Sequence, residues 1–514
     1  MDIGRSRSNC LISGTAQAEH RAGSAARPRS IIRRRGHRFG GEHDAGTRLP
    51  SRSPAGRSAR PEEAHGRGPG PVPRRRAAPA GGRPRSRIAN GHWRDAVGSA
   101  TAFSVTSSAT GKDGGKAMSG PLAGIRVLEL GQLIAAPFAT RLMAEFGAEV
   151  IKVEPPGQGD PLRKWRKMHE GTSLWWYLQS RNKKSIAVNL KSPEGLEIVR
   201  DLARGADVVV ENFRPGGLEK LGLGWDVLSA LNPNLVMVRI SGYGQTGPYR
   251  DRPGFGAIGE SMGGIRFTTG SPDAPPARVG VSIGDTLASL HGVIGALMAL
   301  LRVKTGQGGG QVIDVSLVES VFNVMESLVP EYDLLGEVRT RTGGALPGIT
   351  PSNTYPTRDG GYVVIAGNSD PIFRRLMAAI GRPDLAEAPA LASNDGRSRQ
   401  AGMLDDAIAD WTRARSVEEA LAALDAADVP AGRIYSVADI VADPHYQARD
   451  MILQAELPGG ARVKMPGIVP KLSETPGTVR WQGPALGAHT DAVLTELGLD
   501  AERIARLRDA GAVA

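Results

Sequence analysis

From residue 125 onward, short apolar runs alternate with stretches whose apolar positions recur every three to four residues. Residues 125–130 form one apolar run, followed by the loop Gly131-Gln132-Leu133-Ile134-Ala135-Ala136 and then Pro137. This order predicts a buried strand and then a helix that has proline at its first position and runs to about Phe146. A second strand is predicted over 149–153, ending at Glu154. Such a strand–helix–strand unit opens a doubly wound α/β sheet. The alternation continues with strands over 185–190, 207–211, 235–240 and 311–317, and with helices over 193–204 and 285–303. Around 330–350 the pattern gives way to a loop rich in Gly, Pro and Thr. A smaller α+β unit follows, with a strand over 362–366 and helices near 371–380, 401–413 and 416–427. The chain after Ile434 is mixed and closes on a helix near 501–510. Internal repeats are absent.

Charge changes the picture only when it is divided. The 514 residues carry a formal net charge of +11, which suggests a nucleic-acid or acidic-surface binder. Residues 1–117 hold 23 basic and 8 acidic residues, and 118–514 hold 41 and 45. The positive excess therefore belongs to the first 117 residues, and the remainder is mildly acidic. That leading block is Arg-, Gly-, Pro-, Ala- and Ser-rich and aperiodic, so it is expected to be disordered. It lacks the interleaved aromatics of an RNA-binding tail and carries too much Gly and Pro for an ordinary transit peptide. The favoured expectation is a mis-assigned start, because Met118 begins a natural opening, MSGPLAGIRVLEL.

The single cysteine, Cys10, lies in that block. This excludes a disulfide scaffold, a Cys-ligated zinc site and a cysteine nucleophile from the remainder, and it fits a reducing compartment. No unbroken apolar run approaches the roughly 20 residues of a bilayer span, so a soluble protein is expected.

Candidate chemistry is sparse. Glu154 stands where an acid could bind a ribose hydroxyl, but the preceding turn lacks the G-x-G-x-x-G spacing of a dinucleotide site. His169, His291, His445 and His489 are scattered singly, which argues against a metal centre. Three features remain. Arg181-Asn182-Lys183-Lys184 precedes a strand and reads as either a solvated charge run or a phosphate clamp. Glu211-Asn212-Phe213-Arg214-Pro215-Gly216-Gly217 lies at the carboxyl end of a strand, where open α/β sheets bind ligands. There Asn212 offers hydrogen bonds, Phe213 a stacking face, and Arg214 or Lys220 a cation. Finally, Asp285 follows Gly284 at the start of a long apolar helix, either as an N-cap or as a carboxylate nucleophile.

The stretches PLAGIRVLELGQLIAAPFAT, AEVIKVEPPGQGD, RNKKSIAVNLKSPEG, DVVVENFRPGGLEKLGLGW, SGYGQTGPYRDRPGFG and IGDTLASLHGVIGALMALLRVKTGQG resemble successive motifs of the class III coenzyme A-transferases (CaiB/BaiF family). The resemblance runs in order from Pro121 towards the C-terminus and includes NTYPTRDGGYVVIAGN and ALGAHTDAVLTELG. It implies that Asp285 is the catalytic aspartate, attacking an acyl-CoA thioester and passing through anhydride and aspartyl-CoA intermediates. It further implies that the backbone of Leu133, Ile134 and Ala135 lines the CoA site. Asn182, Lys183 and Lys184 would meet the phosphates, with Asn212 and Phe213 near adenine and pantetheine.

Lys220 takes an arginine position of formyl-CoA transferases, and Ile134 replaces a glutamine of those enzymes. Gly343 and Gly344 would form a shorter mobile glycine loop. These departures argue against formyl-CoA as donor. The sequence is closest in character to succinyl-CoA–dicarboxylate transferases, for which Arg266, Arg278 or Arg341 would grip a distal carboxylate. The related α-methylacyl-CoA racemases pair the aspartate with a histidine, whereas residues 242–285 contain none and His291 projects from another helical face.

The architecture implied is a Rossmann-like large domain over 118–320, a linker over 321–341, and a small α+β domain over 342–430. Residues 431–514 would form a linker and a return to the large domain, and two copies would interlock as a homodimer. Acyl-CoA and a carboxylic acid are the expected partners, with no permanent cofactor, no metal, no nucleic acid, no membrane and a cytoplasmic location.

Overall fold

The computed structural model describes residues 120–514; the expectations for 1–117, disorder and a mis-assigned start, lie outside them. Six parallel strands form the main sheet: β1 Arg126–Glu129, β2 Glu149–Glu154, β3 Lys183–Ala187, β4 Val208–Glu211, β5 Val236–Ser241 and β6 Val312–Ser316. Their spatial order is β3-β2-β1-β4-β5-β6, so the direction of winding reverses between β1 and β4. The expected doubly wound α/β sheet is present. Its other strands shift by one residue at one or both ends, and the third by more, running over Lys183–Ala187 rather than 185–190.

Alternation along each strand divides the interior into two layers. Leu128, Ile151, Val209 and Met237 face one core, shared with helix Pro193–Arg204 and with Val493, Leu494, Ile504 and Leu507 near the C-terminus. Val127, Val150, Val208, Val210, Val236 and Val238 face the other, covered by helices α1 Ala135–Glu145 and α2 Ile283–Lys304. The chain's last residues join the sheet region directly, as Ala514 N donates to Ala187 O at 3.1 Å.

Helix α2 revises the sequence reading in one respect. It has 22 residues and a mean hydropathy of 1.6 over its most apolar window, which is long and apolar enough to cross a membrane. It instead lies on the sheet through small residues. Ala288, Gly292, Ala296 and Ala299 are buried, and a Cβ on Gly295 would come within 2.6 Å of Ile313. Leu290, Ile294, Leu297, Met298 and Leu301 remain exposed on another face.

A second, antiparallel sheet pairs β7 Ser352–Pro356 and Ala431–Arg433 with Tyr362–Ala366 between them. Tyr355, Val363, Ile365, Phe373, Leu376, Leu404, Ile408 and Leu424 form a core of their own around it.

Candidate active site

The loops leaving β1 and β4 at their carboxyl ends meet at the winding reversal, the place where open α/β sheets take ligands. Gln132 and Asn212 join them: Asn212 Nδ2 donates to Gln132 O and Gln132 N donates to Asn212 Oδ1, both at 2.8 Å. Gly131 lets the loops approach, since a Cβ there would stand 2.3 Å from that of Ala136 and 2.9 Å from Asn212 Oδ1. Leu133 adopts a left-handed conformation (φ 67°), stabilised where its N–H donates to both oxygens of Asp160. Ala135 O accepts from Ser289 Oγ at 2.6 Å, and the same hydroxyl donates to Asp285 O, tying the loop to α2.

Beneath this loop lies a buried ion network. Lys152 Nζ reaches Glu129, Asp160 and the carbonyl of Gly131, while Lys183 Nζ reaches Glu129 and the carbonyl of Pro137. Burial alone would raise Glu129, but the two lysines hold it down at about 2. Its contribution to stability is therefore complete above pH 4.5 and is lost as pH falls towards 2. Lys183→Met should leave Glu129 and Asp160 to share Lys152 alone and cost about 3–5 kcal/mol, read from urea unfolding at pH 7.

Asp285 is the third residue of α2, whose N-cap is Ser282. The capping alternative is thus corrected: the carboxylate sits within the first turn and lines a cavity of about 430 Å³. Gly256, at the start of helix Gly256–Met262, makes room for it, because a Cβ there would stand 2.1 Å from Asp285 Oδ2. Asp285 is pushed up to about 6, first by burial and then by the nearby Glu260, with Arg278 opposing. The helix N-terminus favours the ionised form, so the group remains a carboxylate at neutral pH. Arg166, Arg214, Arg252 and Arg278 also line the cavity, as does Phe213. One half-buried carboxylate among arginines can attack an electrophilic carbon of an anionic substrate.

Leu133, Ile134, Ala135, Asn212, Phe213 and Asp285 therefore share one cavity. Asn182, Lys183 and Lys184 do not, and the phosphate clamp expected of them is corrected. Asn182 is buried, with its side chain bonded to the backbone of Ala144, Thr478 and Arg480. Lys183 belongs to the Glu129 network, and Lys184 pairs with Glu149 and Glu496. Lys220 is exposed at the end of helix Gly217–Lys220, outside the cavity lining.

Gly343 and Gly344 also lie outside the cavity lining. Gly343 N donates to Gly270 O, and Gly344 packs on Asn353 and Thr354. Of the three arginines considered for a distal carboxylate, only Arg278 lines the cavity. Arg266 pairs with Glu260, and Arg341 donates to the carbonyls of Phe267 and Ser271. Glu154 is spent on Arg163 and Ser185, which removes the ribose reading.

Sequence reasoning missed Gly256, Arg252, Arg166, Ser289 and the Lys152–Asp160 pair. The signal for Gly256 was present in Gly254-Phe255-Gly256. Gly254 and Gly242 pack so closely that a Cβ on either would come within 3.0 Å of the other's Cα. Among the described residues no histidine lines the cavity. His291 bonds Leu287 O and Asn323 Oδ1 instead. No group of three or more His, Cys, Asp or Glu residues among the described residues is placed to hold a metal ion.

Known proteins resolve the class. A succinyl-CoA–D-citramalate CoA-transferase of Chloroflexus aurantiacus is 51% identical over 391 residues, spanning 76% of this chain and 97% of the relative. A succinate–glutarate CoA-transferase of Agrobacterium fabrum is 37% identical over 386 residues, spanning 73% and 96%. The crystal structure of a CaiB/BaiF family protein from Brucella suis superposes with a TM-score of 0.65 at 35% identity, covering 74% of this chain and 100% of that one. The sequence profile of CoA-transferase family III matches residues 122–490. The chain belongs to CoA-transferase family III, and it is a class III CoA-transferase.

Proposed function

We propose that this enzyme moves coenzyme A from succinyl-CoA to a second dicarboxylic acid, with Asp285 as the nucleophile. The observation that carries the reading is the placement of Asp285, half-buried against Gly256 in an arginine-lined cavity at the winding reversal. The relatives named for citramalate and glutarate support the substrate class.

In this mechanism an Asp285 oxygen attacks the succinyl thioester carbonyl, and the C–S bond breaks to release CoA thiolate and a mixed anhydride. The thiolate attacks the aspartyl carbonyl of that anhydride, which frees succinate and leaves an aspartyl-CoA thioester. The acceptor carboxylate then attacks this thioester, and the thiolate is released again. It finally takes the acyl group of the second anhydride, regenerating Asp285. No net proton is consumed. Partial dehydration strengthens the carboxylate as a nucleophile, and confinement keeps the thiolate close for return.

Incubation with succinyl-CoA and a panel of acids, followed by mass spectrometry of the CoA products, should yield CoA esters of C4–C6 dicarboxylates. Transfer restricted to monocarboxylates would overturn the substrate class. Because the nucleophile must be ionised, kcat/KM should rise with pH through about 6 and then level off. A profile flat from pH 5 to 8 would remove Asp285 from this role. A racemase would exchange the α-proton into deuterated water without a second acid; with no histidine among the described residues lining the cavity, no exchange is expected.

We place the active form in an interlocked homodimer, as the family resemblance implies. The stripe Leu290, Ile294, Leu297, Met298 and Leu301 supports it, because these five exposed apolar residues on one helix are suited to burial against a second copy. Met298→Glu combined with Leu301→Glu should halve the mass measured by light scattering. An unchanged dimer would exclude this face from the contact.

A further inference from the structure

We propose that Glu260 is a positioning residue for the transfer reaction, holding the Arg278 guanidinium at the cavity wall beside Asp285. The inference rests on Asp285 as the reacting carboxylate. Glu260 is fully buried on helix Gly256–Met262, one turn beyond the glycine that accommodates Asp285. A Cβ on Gly284, the residue preceding Asp285, would stand 3.3 Å from Glu260 Cγ, so this carboxylate lies against the turn that carries the nucleophile.

Both Glu260 oxygens face cations. Arg278 presents Nε to one at 3.3 Å and a terminal nitrogen to the other at 3.4 Å, and Arg266 approaches at 3.5 Å. Arg278 itself is half-exposed and lines the cavity with Asp285. A buried acid that grips a cavity arginine by two contacts fixes the direction of that arginine's remaining donors. Free of Glu260, the guanidinium would be drawn to Asp285 and would neutralise the nucleophile in place of a substrate carboxylate.

The electrostatics agree with the geometry. Glu260 raises Asp285 and Arg278 lowers it. The other titratable groups on neighbouring elements are accounted for: Arg266 pairs with Glu260, Glu319 is exposed, and His291 is bonded to Leu287 and Asn323. Arg166, Arg214 and Arg252 occupy the remaining cavity wall.

The test is an infrared difference titration of the Asp285 carboxyl in the full chain, with Asp285→Asn as the blank, so that no turnover is required. Glu260→Gln should lower the midpoint by about half a pH unit or more, and Arg278→Gln should raise it. A purely structural role for Glu260 would leave the Glu260→Gln midpoint where it is, whereas the Arg278→Gln shift reports the guanidinium beside Asp285 in either case. Kinetically, Glu260→Gln should raise KM for the dicarboxylate roughly 10-fold with a smaller change in kcat. In an Arg278→Gln background it should add little further. An unmoved infrared midpoint in Glu260→Gln overturns the proposal. If that variant does not fold, an unmoved midpoint in Arg278→Gln does so, because its side chain is half-exposed and its loss spares the core. A wild-type protein that transfers CoA to no acid would sink the functional reading separately, leaving the titration to decide this one.

Discussion

Asp285→Asn should abolish CoA transfer while leaving a protein that is more stable than the wild type above pH 6. Removal of a covalent nucleophile is expected to lower kcat by roughly 10⁴-fold or more. The amide keeps the size of the carboxylate and fits the same space beside Gly256, so the loss reports chemistry rather than collapse of the cavity. The stability half follows from linkage. Asp285 is raised from 3.8 to about 6 in the folded chain, so folding is favoured by the proton below pH 3.8 and that advantage is lost as pH rises through 6. At pH 8 the wild type bears an ionised group in a partly dehydrated site, and the amide relieves that cost. Urea unfolding at pH 5 and pH 8, set beside transfer assays, would measure both effects. A variant retaining a tenth of wild-type kcat would end the nucleophile assignment. One less stable than wild type at pH 8 would contradict the linkage.

The second large effect is expected from a single methyl group. Gly256→Ala puts a Cβ 2.1 Å from Asp285 Oδ2, far inside contact distance. Alanine ordinarily favours a helix by up to about 1 kcal/mol over glycine, so a substitution within helix Gly256–Met262 would be mild on propensity alone. Here the Asp285 carboxylate must turn away or the two helices must separate. Misplacement of a reacting atom by about 1 Å can cost 10²-fold in rate, and kcat is expected to fall by about that factor. Circular dichroism and thermal melting should show a folded protein. Wild-type kcat in Gly256→Ala would mean that the reacting carboxylate does not rest where this cavity places it.

Much of the framework was legible in the chain itself. Runs of Val and Ile too apolar on both faces for a half-exposed sheet announced a buried parallel sheet, and helix 193–204 was readable to its ends. Its proline, the Ser192 cap and its amphipathic period are all local signals. The Leu133–Ala135 loop, Asn212–Phe213 and Asp285, singled out because their motifs resemble those of a known family, line one cavity in the structure.

What failed was the assignment of long polar side chains. Lys183 and Lys184 look like phosphate ligands in a string of four polar residues. Their heads reach 54 residues back to Glu129 and 312 residues forward to Glu496. Sequence spacing carries no information on such pairings, and a lysine's four-carbon stem can serve either a ligand or a buried acid.

The membrane question has the same physical root. Helix α2 is apolar enough for a bilayer, and only its packed Ala and Gly face shows that a sheet occupies that position. Charge shows the division most plainly. Patterning located the strands and the charge count assigned the positive excess to a leading block, since both are sums over neighbours along the chain. Which cations face the cavity was decided by tertiary packing alone. Arg166, Arg214, Arg252 and Arg278 remain at the cavity wall while Lys152 and Lys183 lie beneath the loop, because every buried acid in the sheet must first find its counter-charge.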